Sequence, residues 1–456
     1  MNFVPETHKT GATQSLLVPW DGSLPFATIA GSNPRGIYEF GGITYKISDA
    51  VLYSVTSAGV VATIGIIEGS NRCIMRDDGV NLIITTGFKW YQYSTSTSTL
   101  TEFSPPTLST GLVVTAGNSV AFLNGFAIYD VSDGKFLMSD FGDPDNFQTN
   151  NFATAESSPD DLKFVFVFNE RAYLMGSRSI ETWYVSTGNP PLQKTQNGTM
   201  PVGLKDIHSV AASQNFVYFR GDDGWIYRFS STQATNITSS FAASAFETFG
   251  NDTAEAYVRE YQGGTYYVIN FTANNQTWVF SERNHSLSPG IDDWFQLSSG
   301  EDLDSYIGAG YFKAFNKHLI EKKGSGDILQ LDLDTYTDDG SVIVRVRETP
   351  PVNGAALGKP GGRLEMSWLE ILMKKGVGTA SGAGVDPKIY IQGTFDGANS
   401  YSNQEEVEIG RTGEAMMKVR WYHSESFYEA SFKIIGYDPV FYSIHGASIG
   451  LKFLGD

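Results

Sequence analysis

Apolar and polar positions along this chain alternate mostly with a period of two, in short runs, and no long stretch shows a convincing helical period. LIITTGFKWYQY (82 to 93), FVFVFNERAYLM (164 to 175), FVYFRGDDGWIYRF (216 to 229) and TYYVINFTANNQTWVF (265 to 280) combine β-branched and aromatic residues with Gly, Asn and Asp at the breaks, the pattern of β-hairpins. DDG at 77 to 79, SDG at 132 to 134, DDG at 222 to 224 and NN at 274 to 275 supply residues that tolerate the positive φ of tight turns.

Aligning the hairpins on one large apolar strand position selects Tyr53, Tyr93, Phe136, Trp183, Tyr227, Trp278 and Leu329, with successive spacings of 40, 43, 47, 44, 51 and 51 residues. This is close to the length of one propeller blade, roughly 40 to 50 residues. The spacing predicts a β-propeller of about six or seven blades over residues 38–336, although periodicity alone leaves a large sandwich or a β-solenoid open. Beyond Tyr336 a Pro pair and a Gly/Pro-rich stretch lead into longer alternating strands, RLEMSWLEILMKK (363 to 375), PKIYIQGTF (387 to 395), MKVRWY (417 to 422) and ASFKIIGY (430 to 437). One buried and one wet face are expected for these, so residues 337–456 are read as a β-sandwich platform. Residues 1–37 alternate little and read as an N-terminal arm. The expected class is all-β.

Composition narrows the function. The 456 residues are 41% hydrophobic and 18% charged, enough apolar material for a large core. Lys+Arg 32 against Asp+Glu 50 gives a net charge of −18, which disfavours lasting contact with phosphate backbones or anionic lipid. A single cysteine, Cys73, allows neither an internal disulfide nor a structural zinc site. No signal peptide and no membrane span are read. The six Asn-x-Ser/Thr sequons, at Asn197, Asn236, Asn251, Asn270, Asn275 and Asn284, are therefore attributed to a turn-rich composition; occupied sequons would belong to a secreted adhesin, the weakest reading.

Catalytic chemistry has little to stand on. Acidic doublets occur at Asp160 and Asp161, Asp222 and Asp223, Asp292 and Asp293, and Asp338 and Asp339. Neighbours on a strand point to opposite faces, so a doublet is not the facing carboxylate pair of a glycoside hydrolase and is better read as turn chemistry. TFDGANSY (394 to 401) loosely matches an Asp-box hairpin, once and outside the propeller region. His8, His208, His285, His318, His423 and His445 are too scattered to suggest a metal site, and neither a phosphate-cradling Gly loop nor a nucleophile elbow occurs. No catalytic, cofactor-binding or metal-ligating residue is assigned.

One block is more specific. In residues 136 to 190, Phe152-Ala153-Thr154-Ala155-Glu156 with Pro159-Asp160 precedes an apolar strand, and Gly176-Ser177 leads to Ser179-Ile180-Glu181-Thr182-Trp183-Tyr184 and Thr187-Gly188. The order resembles the packaged-DNA stabilisation, or tail hub (nozzle), proteins of short-tailed phages. Gly203 with the DGWIY strand, and the C-terminal strands, extend the resemblance over most of residues 40 to 456, with 153 to 160 and 176 to 184 as its signatures. It implies a non-enzymatic virion component assembled in the host cytoplasm as a homohexameric ring. The ring would meet an adaptor (head-to-tail connector), a tailspike or tail fibre, and a tail needle or plug. It would close the tail channel on packaged DNA, then let the DNA pass at ejection without reading its sequence. The alternative is a propeller glycoside hydrolase or carbohydrate-binding protein, which requires carboxylates converging in a central pocket, one with a raised pKa.

Overall fold

A computed structural model describes residues 1–7, 15–155, 161–188, 190–261, 263–290, 293–397 and 399–455. The chain divides into two compact units, one of Pro25–Asn274 and Gly308–Gln330, the other of Met1–Leu24, Asn275–Ile307 and Leu331–Asp456.

The first unit is a propeller. Five four-stranded sheets succeed one another at residues 34–66, 74–103, 116–154, 162–200 and 211–236, each an antiparallel meander. Their inner strands, with Ala254–Tyr261 and Gly308–Ala314, make seven among the described residues, and the seventh packs back on the first. Tight turns join the strands: Asn124 and Gly125, at φ 50 and 83, connect Leu123 to Phe126, and both need the left-handed region that Asn and Gly tolerate. Adjacent sheets bury one core each. Ile47 and Leu52 meet Leu82 and Ile84 between the first two, Trp90 meets Tyr129 and Leu137 between the next two, and Phe136 meets Val165 and Leu174 beyond.

The repeat read from the sequence is explained by this stacking. Tyr53, Tyr93, Phe136, Trp183 and Tyr227 all stand on the third strand of their sheets, while Trp278 and Leu329 lie on Gln276–Ser281 and Ile328–Asp332. A large ring at that position bridges to the neighbouring sheet, as Phe136 does to Trp183 at 5.3 Å.

In keeping with the near absence of a helical period, α-helix is confined among the described residues to two short segments, Ser240–Phe249 and Glu282–Leu287. Ser239 accepts a bond from the Ala242 amide as N-cap, and Ala242, Phe246 and Phe249 recur on one buried face. Three residues spread over about two turns are too few to stand out among strand signals.

In the second unit, one sheet combines Phe3–Thr7, Ser15–Pro19, Ile444–Gly455, Arg363–Met373 and Arg420–Trp421. The other runs Arg345–Glu348, Glu429–Gly436, Lys388–Thr394 and Glu405–Glu408. Leu364, Met366, Leu369 and Ile371 of the first sheet pack on Ile389, Ile391, Phe432 and Ile434 of the second, so the two form a β-sandwich. Residues 1–37, read as an arm, therefore hold a hairpin paired to the C-terminal strand at Leu17 and Ile444.

Candidate functional site

The axis of a propeller is where inner strands converge and where a ligand or a channel would have to sit. Here it is occupied by the protein's own side chains. Fully buried Arg35, on the first inner strand, donates from Nε to Asn71 O (2.7 Å), from Nη1 to Asp49 O (2.9 Å) and Ile67 O (2.8 Å), and from Nη2 to Glu68 O (2.9 Å). A flexible connection is thereby fixed, and it presents Arg72. The Arg72 guanidinium reaches Glu255 (3.2 Å) on the inner strand Ala254–Tyr261 and Glu321 (3.0 Å) beside the inner strand Gly308–Ala314. Glu321 also pairs with Lys46, and neither of those two side chains is exposed. Gly310 leaves the room: a Cβ there would come within 3.1 Å of Glu321 Oε2 and 3.2 Å of Arg72 Nη2.

Burial alone would raise the Glu321 carboxyl, but the Lys46 ammonium and the Arg72 guanidinium overcome it and hold the carboxyl below the usual carboxylate range. Burial, with Arg72 nearby, pushes His208 down to about 3, so this ring stays neutral. Burial also lifts the Cys73 thiol to about 11, which makes it inert as a nucleophile at neutral pH. Further along, Arg76 lies 5.9 Å from the Phe166 ring centroid, Tyr38 donates to Asp77 (2.8 Å), and Ile74 packs on the cluster of Phe164, Tyr173 and Phe219.

This arrangement is the reverse of a glycosidase site. Glu255 and Glu321 share one guanidinium, and Glu321 is stabilised as an anion where a general acid must hold a proton. The doublets serve turns and packing. Asp222 accepts from the Gly203 amide (2.9 Å) and Asp223 from the Trp225 amide (3.0 Å). Asp293 accepts from the Gly290 amide (2.8 Å) and meets His285 (3.0 Å), and Asp338 takes the Ser299 hydroxyl (2.9 Å). Asp396 closes its own turn through the Ser400 and Asn399 amides, which with the Ser400 hydroxyl holds it down at about 2. The other histidines make local contacts: His318 with Tyr311 (2.7 Å), His423 stacked on Trp421 (4.5 Å) and His445 with Ser443 (2.9 Å). His8, Asp160 and Asp292 lie outside the described residues. Among the described residues no group of His, Cys, Asp and Glu side chains could hold a metal ion, and no helix is long and apolar enough to cross a membrane.

Burial pushes Asp338 and Asp130 each up to about 6, with no catalytic partner beside either. Asp130 is buried against the amides of Asn118 (2.9 Å) and Ser119 (2.5 Å), and burial outweighs these bonds to bring it to about 6. A folded-state pKa above the unfolded 3.8 means the native state holds the proton more tightly. Its contribution to stability is present below about pH 4 and lost as pH rises through about 6, a span of about 3 kcal/mol. Unfolding midpoints measured across that range are expected to fall with rising pH more steeply in the wild type than in Asp130→Asn. Equal slopes would reject the assignment.

The signature stretches are architectural. Glu156 to Asp160 lie outside the described residues. Phe152–Thr154 completes the third sheet, and Gly176, Ser177 and Ser179 form the turn into Ile180–Val185, whose Glu181 takes Lys194 (3.1 Å) and the Trp183 indole (2.9 Å). Gly203 is needed beside that turn, because a Cβ would sit 2.2 Å from Ser177 O.

No curated protein matches the chain. Among solved structures it is similar to the WD40 domain of Pan2 from Neurospora crassa, at 11% identity over 69% of this chain and 89% of that one, TM-score 0.39. It is also similar to a chain of a mitotic checkpoint complex, at 10% identity over 72% and 96%, TM-score 0.41. The family described as "Bacteriophage P22 Gp10, beta-propeller", the phage stabilisation family, matches residues 1–336. With a filled axis, sheets stacked in a ring and signature residues that build turns, the chain belongs to this family of phage structural, DNA-stabilising β-propeller proteins.

Proposed function

We propose that this protein is a subunit of a ring, six copies closing on a central channel, in a short phage tail. The ring retains packaged DNA and lets it pass at ejection. It is assembled in the host cytoplasm and meets an adaptor on the head side, a tailspike or fibre outside, and a needle or plug at its far end. Membership of the phage stabilisation family carries the reading. The filled propeller axis supports placing the DNA path between copies and not through each propeller. A net charge of −18 supports passage, since like charge removes the lasting phosphate contacts that Lys and Arg would make.

The experiment is to package phage heads with this chain withheld, then add it back purified. Heads lacking it are expected to lose DNA to added nuclease, and heads given it are expected to protect their DNA. Equal retention with and without the chain rejects the role.

A further inference from the structure

We propose that the two outer faces of the C-terminal sandwich are a matched pair, through which successive copies of this chain bind head to tail. The proposal rests on the ring reading above and assigns the contact that the reading requires.

The acidic excess is not spread evenly. Residues 1–344 hold 20 Lys+Arg against 37 Asp+Glu, whereas residues 345–456 hold 12 against 13. Residues 345–456, which supply most strands of the two sandwich sheets, are therefore almost neutral and carry both signs. Within the sandwich the signs are sorted by face. On the sheet of Arg363–Met373, Leu364, Met366, Leu369 and Ile371 point into the core, which turns Glu365 and Glu370 outward. Register places Lys452 opposite Glu365 and Arg420 opposite Glu370, and Lys418, two residues before Arg420, acts on Glu370. Around Glu370 positive charge therefore exceeds negative on this face.

The opposite sheet turns Ile389, Ile391 and Val407 inward. Its outer side pairs Lys388 with Glu408, Tyr390 with Glu406, and Lys433 with Glu348, so negative charge exceeds positive there. Both faces also carry the residue types that dominate binding energy at interfaces. The Arg420 guanidinium stacks 4.1 Å from the Trp368 ring centroid, with Tyr422 beside it at 69% exposure. On the other face Tyr390 packs against Tyr437 at 5.2 Å, and Lys433 stands 3.9 Å from the Tyr401 ring. Two different patches on opposite sides of one body make a heterologous contact, the kind that propagates round a ring.

Charge reversal tests the pairing. One variant carries Lys418→Glu and Lys452→Glu, a second Glu406→Lys and Glu408→Lys, and a third all four. Native mass against concentration is read by light scattering at low salt, with unfolding midpoints confirming that each variant folds. Either two-site variant alone is expected to self-associate more than about tenfold more weakly than the wild type, because like charges then face each other. An equimolar mixture of the two, and the four-site variant, are expected to recover assembly. Rings that persist in both two-site variants, or a four-site variant that does not recover, overturn this contact and leave the ring reading standing. A wild-type chain that stays monomeric at the highest attainable concentration removes the ring reading and this contact with it.

Discussion

Replacing Glu321 by alanine is expected to cost the propeller about 3–5 kcal/mol, the usual penalty for removing one partner of a buried ion pair. The loss is large because of what stays behind. Burial already pulls the Lys46 ammonium below the usual lysine range, so without its partner it must lose its proton or stay as an unpaired buried charge, and Arg72 would be left with Glu255 alone at the axis. Guanidinium unfolding, followed by intrinsic tryptophan fluorescence, reads the effect as a lowered midpoint. The double replacement Lys46→Met with Glu321→Leu is expected to regain most of it, since apolar residues of similar volume satisfy the site without an orphaned charge. If Glu321→Ala and the double variant unfolded together at the wild-type midpoint, the axial cluster would contribute nothing to stability.

That cluster also marks the limit of what the sequence discloses. Lys46 and Glu321 are separated by 275 positions, and Arg72 and Glu321 by 249. No local pattern announces that they meet, because ring closure of the propeller brings them together. Blade content was legible for the opposite reason. Each blade is a local meander, so alternation, turn residues and one bulky third-strand position all repeat within about 50 residues. The third strand shows most clearly because its large ring spans to the next blade, as Phe136 does to Trp183. The sandwich was legible where its strands alternate, as in Arg363–Met373 on either side of a bulge between Met366 and Trp368, and its long last strand Ile444–Gly455 was not. That strand's small residues, Gly446, Ala447, Ser448 and Gly450, give little hydrophobic signal even though it pairs along nearly the whole of Arg363–Met373.

The candidate chemistry followed the same rule. Asp223 and Asp396 were readable as turn residues because their partners lie two to four positions away. The signature Gly176-Ser177 turn, by contrast, owes its shape to a distant residue. Gly203 lies against Ser177 O, and the Leu204 amide donates to Gly176 O. A motif of this kind identifies a family because it records a close backbone approach that only glycine allows, and such an approach says nothing about catalysis.

Trp90→Ala is expected to match the Glu321 variant in size by a different mechanism. Trp90 has no exposed surface and sits among Tyr129 (4.4 Å), Phe103 (5.7 Å) and Phe147 (6.0 Å), which span the second and third sheets. Truncation leaves a void that this rigid aromatic set cannot close, at a cost of about 3–5 kcal/mol. Blades touch chiefly their neighbours, so the damage should be confined to that junction. Hydrogen exchange is expected to accelerate in 82–103 and 120–138 and to remain at the wild-type rate in 211–229. Uniform acceleration round the ring would instead mean that blades open as one cooperative unit. Axial ties such as Arg72 to Glu255 and Glu321 would then couple them more strongly than neighbour packing does, and the propeller would behave as a single rigid part within the tail.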